Sequence, residues 1–140
     1  MAVVYDGEMD RECIDLCDEL NKLPGVETVS SCCGHLKNRY MIFFRCTNQY
    51  SLAIIARAFN YRYSGTLVRY DVFLDTCDAE VNPQYEYCIM SDTPYLSQED
   101  LEKDVDSLIM NLRYWQNSTF DEYFKKNLYV THDTGTSEEA

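Results

Sequence analysis

Between residues 28 and 70 the chain contains neither aspartate nor glutamate. The gap matters because the sequence is acidic overall, with 24 acids against 12 bases and a formal net charge of −12. Six of the bases, Lys37, Arg39, Arg45, Arg57, Arg62 and Arg69, fall inside the acid-free stretch. The rest of the chain therefore sets 24 acids against the other six bases. Local potential follows such a distribution and not the total. A long nucleic acid is disfavoured, since its phosphates require broad positive potential. A small anion held by one basic segment is not.

Other scarcities narrow the reading further. No apolar run approaches the roughly 18–20 residues of a membrane-spanning helix, and residues 1–8 lack the basic flank and apolar core of a signal peptide. The expectation is a soluble, cytoplasmic protein without a membrane partner. With only 5 glycines and 3 prolines in 140 residues, the breaks at Pro24-Gly25, Gly34 and Ser64-Gly65 are informative. The 7 cysteines are odd in number and irregularly spaced, which reads as free thiols and not a disulfide framework.

Periodicity then supplies the elements. Cys13, Ile14, Leu16, Cys17 and Leu20 make one face of a helix over 8–23, with Arg11, Asp15, Asp18, Glu19 and Lys22 on the wet side. A strand over 26–31 runs into the turn, and Tyr40, Ile42, Phe44 and Cys46 alternate along a second strand over 40–46. The short connection predicts an antiparallel hairpin. Thr47 or Asn48 can cap a helix over 49–61, strands follow at 66–74 and 84–90, and Ser97 opens the longest helix. Glu99, Asp100, Glu102, Asp104 and Asp106 gather at its start, as on a solvated helix end. A shorter helix restarts after Asn117, and 131–140 reads as a disordered acidic tail. The expected fold is α+β, a mostly antiparallel sheet of about four strands in the order α-β-β-α-β-β-α, in one domain over 1–130.

Chemistry concentrates in Thr28-Val29-Ser30-Ser31-Cys32-Cys33-Gly34-His35, which holds two adjacent thiols and one of only 2 histidines. Three readings compete with a plain hairpin turn whose cysteines straddle the sheet. As a nucleophile site, Cys32 or Cys33 would use His35 as base. As a zinc site the turn lacks a second Cys/His pair, and Cys46, Cys77 or His132 would have to complete it, so no metal is expected. As an anion cradle, backbone N–H groups of the glycine turn join the hydroxyls of Thr28, Ser30 and Ser31. Arg45 or Arg69 would then reach in from neighbouring strands as bidentate clamps, with Arg57 and Arg62 as further candidates. Of the 12 tyrosines, Tyr40, Tyr61, Tyr63, Tyr70, Tyr85 and Tyr87 flank the basic segment or its neighbours and suit either base stacking or a half-wet sheet face.

A helix followed by Leu23-Pro24-Gly25-Val26-Glu27-Thr28-Val29-Ser30-Ser31-Cys32-Cys33-Gly34-His35 and a strand resembles the start of the tRNA wybutosine-synthesising methyltransferase family. There a helix and strand lead into Ser-Ser-Cys-Ser-Gly-Arg; here Cys33 stands for the serine and His35 for the arginine. The stretch is also similar to small uncharacterised bacterial and phage proteins bearing Ser-Cys-Cys-Gly-His. The likeness covers about residues 10–45. It implies an α/β-type sheet domain and an S-adenosylmethionine-linked role on RNA or nucleotides, with Cys32 and His35 as the catalytic candidates.

The leading expectation is a small domain binding a nucleotide or other phosphorylated ligand, with no cofactor. Its site comprises Ser30, Ser31, Cys32, Cys33, Gly34, His35, Arg45 and Arg69. A nucleotide-sequestering protein of the phage type is one form of this. The alternatives are the S-adenosylmethionine-linked enzyme and an acidic interaction module or inhibitor that mimics nucleic acid and meets a protein partner.

Overall fold

The computed structural model describes residues 9–75 and 86–117. Its elements run α1 (Arg11–Asn21), β1 (Val26–Cys32), β2 (Met41–Cys46), α2 (Gln49–Phe59), α3 (Tyr61–Ser64), β3 (Tyr70–Leu74), β4 (Glu86–Ser91) and α4 (Gln98–Asn117). One 3₁₀ turn, Gly34–Leu36, lies between β1 and β2. The strands form a single antiparallel sheet in the order β1-β2-β4-β3, and α1, α2 and α4 cover the face that carries the core. This is the α+β architecture expected from the patterning. The anticipated β1–β2 hairpin is present, and β4 lies between β2 and β3, antiparallel to both. The readings of a helix after Asn117 and of a tail over 131–140 fall outside the described residues. Among those described, no helix is long and apolar enough to cross a membrane.

Side-chain period explains the packing. Tyr40, Ile42, Phe44 and Cys46 are buried while Met41, Phe43 and Arg45 are half-buried, the alternation a one-sided core imposes. Ile42 pairs with Ile89, and Ile89 with Val72, so one apolar row crosses the sheet. Cys13, Leu16, Cys17 and Leu20 bury the inner stripe of α1, each large aliphatic side chain contributing about 1.5–3 kcal/mol. Asn48 caps α2 by accepting the Ser51 N–H, and Ser97 accepts the Asp100 N–H at the start of α4.

Three local expectations are corrected. Ile14 is exposed, and Glu19, placed on the wet side by its charge, is buried because its carboxylate meets Lys22 and Arg113, each at 3.2 Å. Asp104 is only 2 % exposed, although its neighbours make a solvated acidic helix start. Its carboxylate accepts the N–H groups of Leu67 (2.8 Å) and Val68 (3.2 Å) and the Tyr95 hydroxyl (2.7 Å). That clasp also explains why β3 begins at Tyr70 and not at 66: two of its anticipated N–H donors serve α4 instead of the ladder.

β1 carries the feature that most affects the turn. Thr28 pairs with Phe44 and Ser30 with Phe43, so Val29 is an extra residue, a β-bulge. Asn21, at the end of α1, holds this point by accepting the Thr28 N–H (2.9 Å) and donating to its hydroxyl (2.8 Å). One inserted residue reverses the in-out phase of everything after it. Ser31 and Cys33 therefore take the core-facing phase, and Ser30 and Cys32 leave it.

Candidate functional site

The turn after β1 is built by three successive left-handed residues, Gly34 (φ 84°), His35 (φ 53°) and Leu36 (φ 63°). A Cβ on Gly34 would sit 2.9 Å from the Arg39 carbonyl oxygen, so only glycine fits the close return of the chain. Two consecutive non-glycine residues at positive φ are costly, and such strain persists only where surrounding contacts hold it.

Those contacts come from α1. The helix runs antiparallel to β1 after a short connection, which returns its N-terminus to the far end of the strand. Asp10, expected inside the helix, is its N-cap residue but does not cap it. Instead its carboxylate accepts the Cys33 N–H at 2.8 Å and lies 3.4 Å from His35 Nε2. The Gly34 N–H points at Cys32 Sγ (3.4 Å), and Cys33 Sγ lies 3.7 Å from His35 Nδ1. Asp10, Cys32 and His35 each bring a potential ligand atom within 4.8 Å of the others. The His35 side chain is 66 % exposed and Asp10 21 %, so the group opens to solvent.

Asp10 brings a carboxylate to this point. Burial alone would raise the Asp10 carboxyl, but the Cys33 N–H and thiol, the His35 ring and the Cys32 thiol together outweigh it and hold Asp10 below its ordinary value. Hydrogen bonding from the Gln98 amide likewise lowers Glu12. The opposite holds for the buried thiol: burial, with the Asp10 charge adding to it, pushes Cys33 up to about 11. At pH 7 its thiolate is on the order of one part in 10⁴, a poor nucleophile.

The structure divides the residues anticipated for an anion cradle. The Cys33 N–H is already taken by Asp10, the Thr28 hydroxyl by Asn21, and Ser30 and Ser31 point to opposite faces. The Ser31 hydroxyl is buried and makes no hydrogen bond. Arg45 pairs across the sheet with Glu27 (3.9 Å) and Glu86 (3.8 Å), at the end of β1 remote from Cys32, about 13 Å of strand away. Arg57 lies over the rings of Tyr63 and Trp115. Cys46, weighed as a zinc ligand, is buried at that remote end and donates to the Asn48 carbonyl. Cys77 and His132 lie outside the described residues.

Arg69 does remain at the sheet end of the turn, but on the opposite edge, three strand spacings or about 14 Å away. Its guanidinium lies 5.1 Å from the centre of the Tyr61 ring, a cation–π contact. Together with Phe59, Asn60, Tyr70 and Asp71 these two residues line a cleft of about 320 Å³ between the end of α2 and β3. No acid pairs with Arg69 among the described residues. A larger hollow of about 560 Å³ between α1 and α4 is lined by Asp15, Asp18, Glu19 and Asp106, and its two bases, Lys22 and Arg113, both pair with Glu19, so it suits an anion poorly. Arg62, Lys37 and Arg39 are exposed, and Arg39 reaches the Met90 sulfur.

Sequence reasoning missed Asp10. Nothing local marks a residue whose partner comes 23 positions later; an Asp at an N-cap position reads as a cap. The fold and the turn define a two-layer α+β domain with a strained, acid-backed thiol–imidazole turn at one sheet end and an arginine–tyrosine cleft at the opposite edge. Compared with family models, curated proteins and solved structures, the chain finds no match in any of the three.

Proposed function

We propose that the protein binds a small phosphorylated ligand, a nucleotide being the first class to test, and that the contact falls on the Arg69–Tyr61 cleft. The observation that carries this reading is a guanidinium with no ion-pair partner among the described residues set against a half-exposed tyrosine ring in one cleft. Arginine binds phosphate through its planar fork, and an aromatic face accepts any base. Asn60 and Asp71 line the same cleft and offer polar groups to a base or sugar. The turn, expected to cradle the anion itself, is backed by Asp10 and is better suited to a cation.

The test is a thermal-shift and calorimetry panel of nucleoside mono-, di- and triphosphates, inorganic phosphate and S-adenosylmethionine. A binding nucleotide at about 100 times its Kd should stabilise the fold by about 2.7 kcal/mol. Arg69→Ala should remove the shift and Tyr61→Ala should reduce it, whereas Arg45→Ala should leave it. A panel without any shift, or a shift indifferent to Arg69→Ala, refutes the assignment; a response to S-adenosylmethionine alone would favour the methyltransferase-like reading.

A further inference from the structure

We infer that Asp10, Cys32 and His35 form a site for one divalent transition ion of the zinc class, with three protein ligands and an open fourth position. The donor set is a carboxylate, a thiolate and an imidazole, the types that zinc takes at about 2.0–2.3 Å. Two ligands at about 2.1 Å on a tetrahedron stand about 3.4 Å apart, and His35 Nε2 lies 3.4 Å from Asp10 Oδ2. All three ligand atoms lie within 4.8 Å of one another. Closing the sulfur to a tetrahedral edge of about 3.6 Å then asks for movement of at most about 1.2 Å, within reach of a half-buried side chain.

The surroundings orient each ligand as metal sites require. Asp10 is held by the Cys33 N–H, and Cys32 Sγ receives the Gly34 N–H. A ring carrying its proton on Nδ1 donates toward Cys33 Sγ and leaves the Nε2 lone pair free on the Asp10 side. The β-bulge at Val29 is what takes Cys32 out of the core and into this group. On binding, the Cys32 thiol loses its proton to solvent, and a 2+ ion is balanced by one carboxylate and one thiolate. A single carboxylate is too little for magnesium or calcium, which need several oxygen ligands. The fourth position faces solvent beside the exposed His35 ring and is open to water or to an anionic group. This site is independent of the ligand assigned to the Arg69–Tyr61 cleft.

Protein stripped with a chelator and titrated with Co²⁺ should take up one ion per chain and develop a thiolate-to-cobalt charge-transfer absorption. Zn²⁺ should bleach it at one equivalent, and excess Mg²⁺ should not. Cys32→Ser should abolish the absorption and weaken Zn²⁺ binding at least about tenfold. His35→Asn keeps a residue that tolerates φ near 53°; it should weaken binding by a similar factor while retaining the thiolate band. Cys46→Ser, at the remote end of the sheet, should change neither. Wild-type protein without the band, a band undiminished in Cys32→Ser, or affinity unchanged in His35→Asn each overturns the assignment. Because His35 is exposed, its variant decides the matter even where Cys32→Ser fails to fold.

Discussion

Two helix-borne carboxylates in this molecule do the same structural task and end in different chemistry. Asp104 on α4 and Asp10 at the head of α1 each accept backbone N–H groups from a distant loop, Leu67–Val68 in one case and Cys33 in the other. Asp104 is 2 % exposed and uses both oxygens, with the Tyr95 hydroxyl completing its shell and Tyr70 backing Tyr95 at 2.7 Å. Nothing more can approach it. Asp10 accepts one backbone N–H and stands open beside a thiol and an imidazole. A saturated buried carboxylate is a fastener, whereas a half-satisfied one next to other ligating atoms is a site.

The same conservative substitution at both positions should separate them. Asp104→Asn turns an amide NH₂ against donors that need an acceptor and should cost about 3 kcal/mol, read as a fall in the urea midpoint. A loss below about 1 kcal/mol would remove the distinction.

The next effect lies at alkaline pH. Burial pushes Cys13 up to about 12 and Cys17 to about 11, from an ordinary 9.0, beneath the α1 end that carries Asp10. Burial raises the Tyr70 and Tyr95 hydroxyls beside Asp104 as well, from an ordinary 10.0. A thiol harder to ionise in the folded state stabilises fully below pH 9 and loses that contribution as pH climbs toward 11, because the unfolded chain releases its protons first. The urea midpoint should hold from pH 7 to 8.5 and then drop, on the order of 1 kcal/mol per thiol for each pH unit. In Cys13→Ala/Cys17→Ala the early part of that drop should shrink, with Cys33 and Cys88, also pushed up to about 11, keeping the remainder; an unchanged slope would assign the drop to those thiols and to the tyrosines of the Asp104 clasp.

Smallest in stability should be Asp10→Asn, about 1 kcal/mol, since the amide oxygen can still accept the Cys33 N–H. Its cost should appear in Co²⁺ uptake instead. A large loss of stability with metal uptake unchanged would make Asp10 a second fastener and erase the contrast.

Much of the fold was legible from local pattern. The alternation along residues 40–46, the stripe Cys13–Leu16–Cys17–Leu20 and the caps Asn48 and Ser97 each act within a few residues, and the structure places them accordingly. Glycine at 34 marked a sharp return, and its φ of 84° agrees. The candidate site was legible only as a place. Its charge was misjudged because six bases in an acid-free stretch say nothing of where their partners lie; Arg45 finds Glu27 and Glu86 across the sheet, one upstream and one downstream of the stretch.

What the sequence by itself determined is therefore the kind of each element and the position of the turn, since side-chain period and glycine's conformational freedom are local properties. The tertiary structure alone decided which thiol faces the solvent side and what stands next to it. A single extra residue at Val29 sets the phase of Cys32 and Cys33, and the packing of α1 against β1 brings Asp10 to the turn. Both depend on register between elements, and register is settled by the whole core at once.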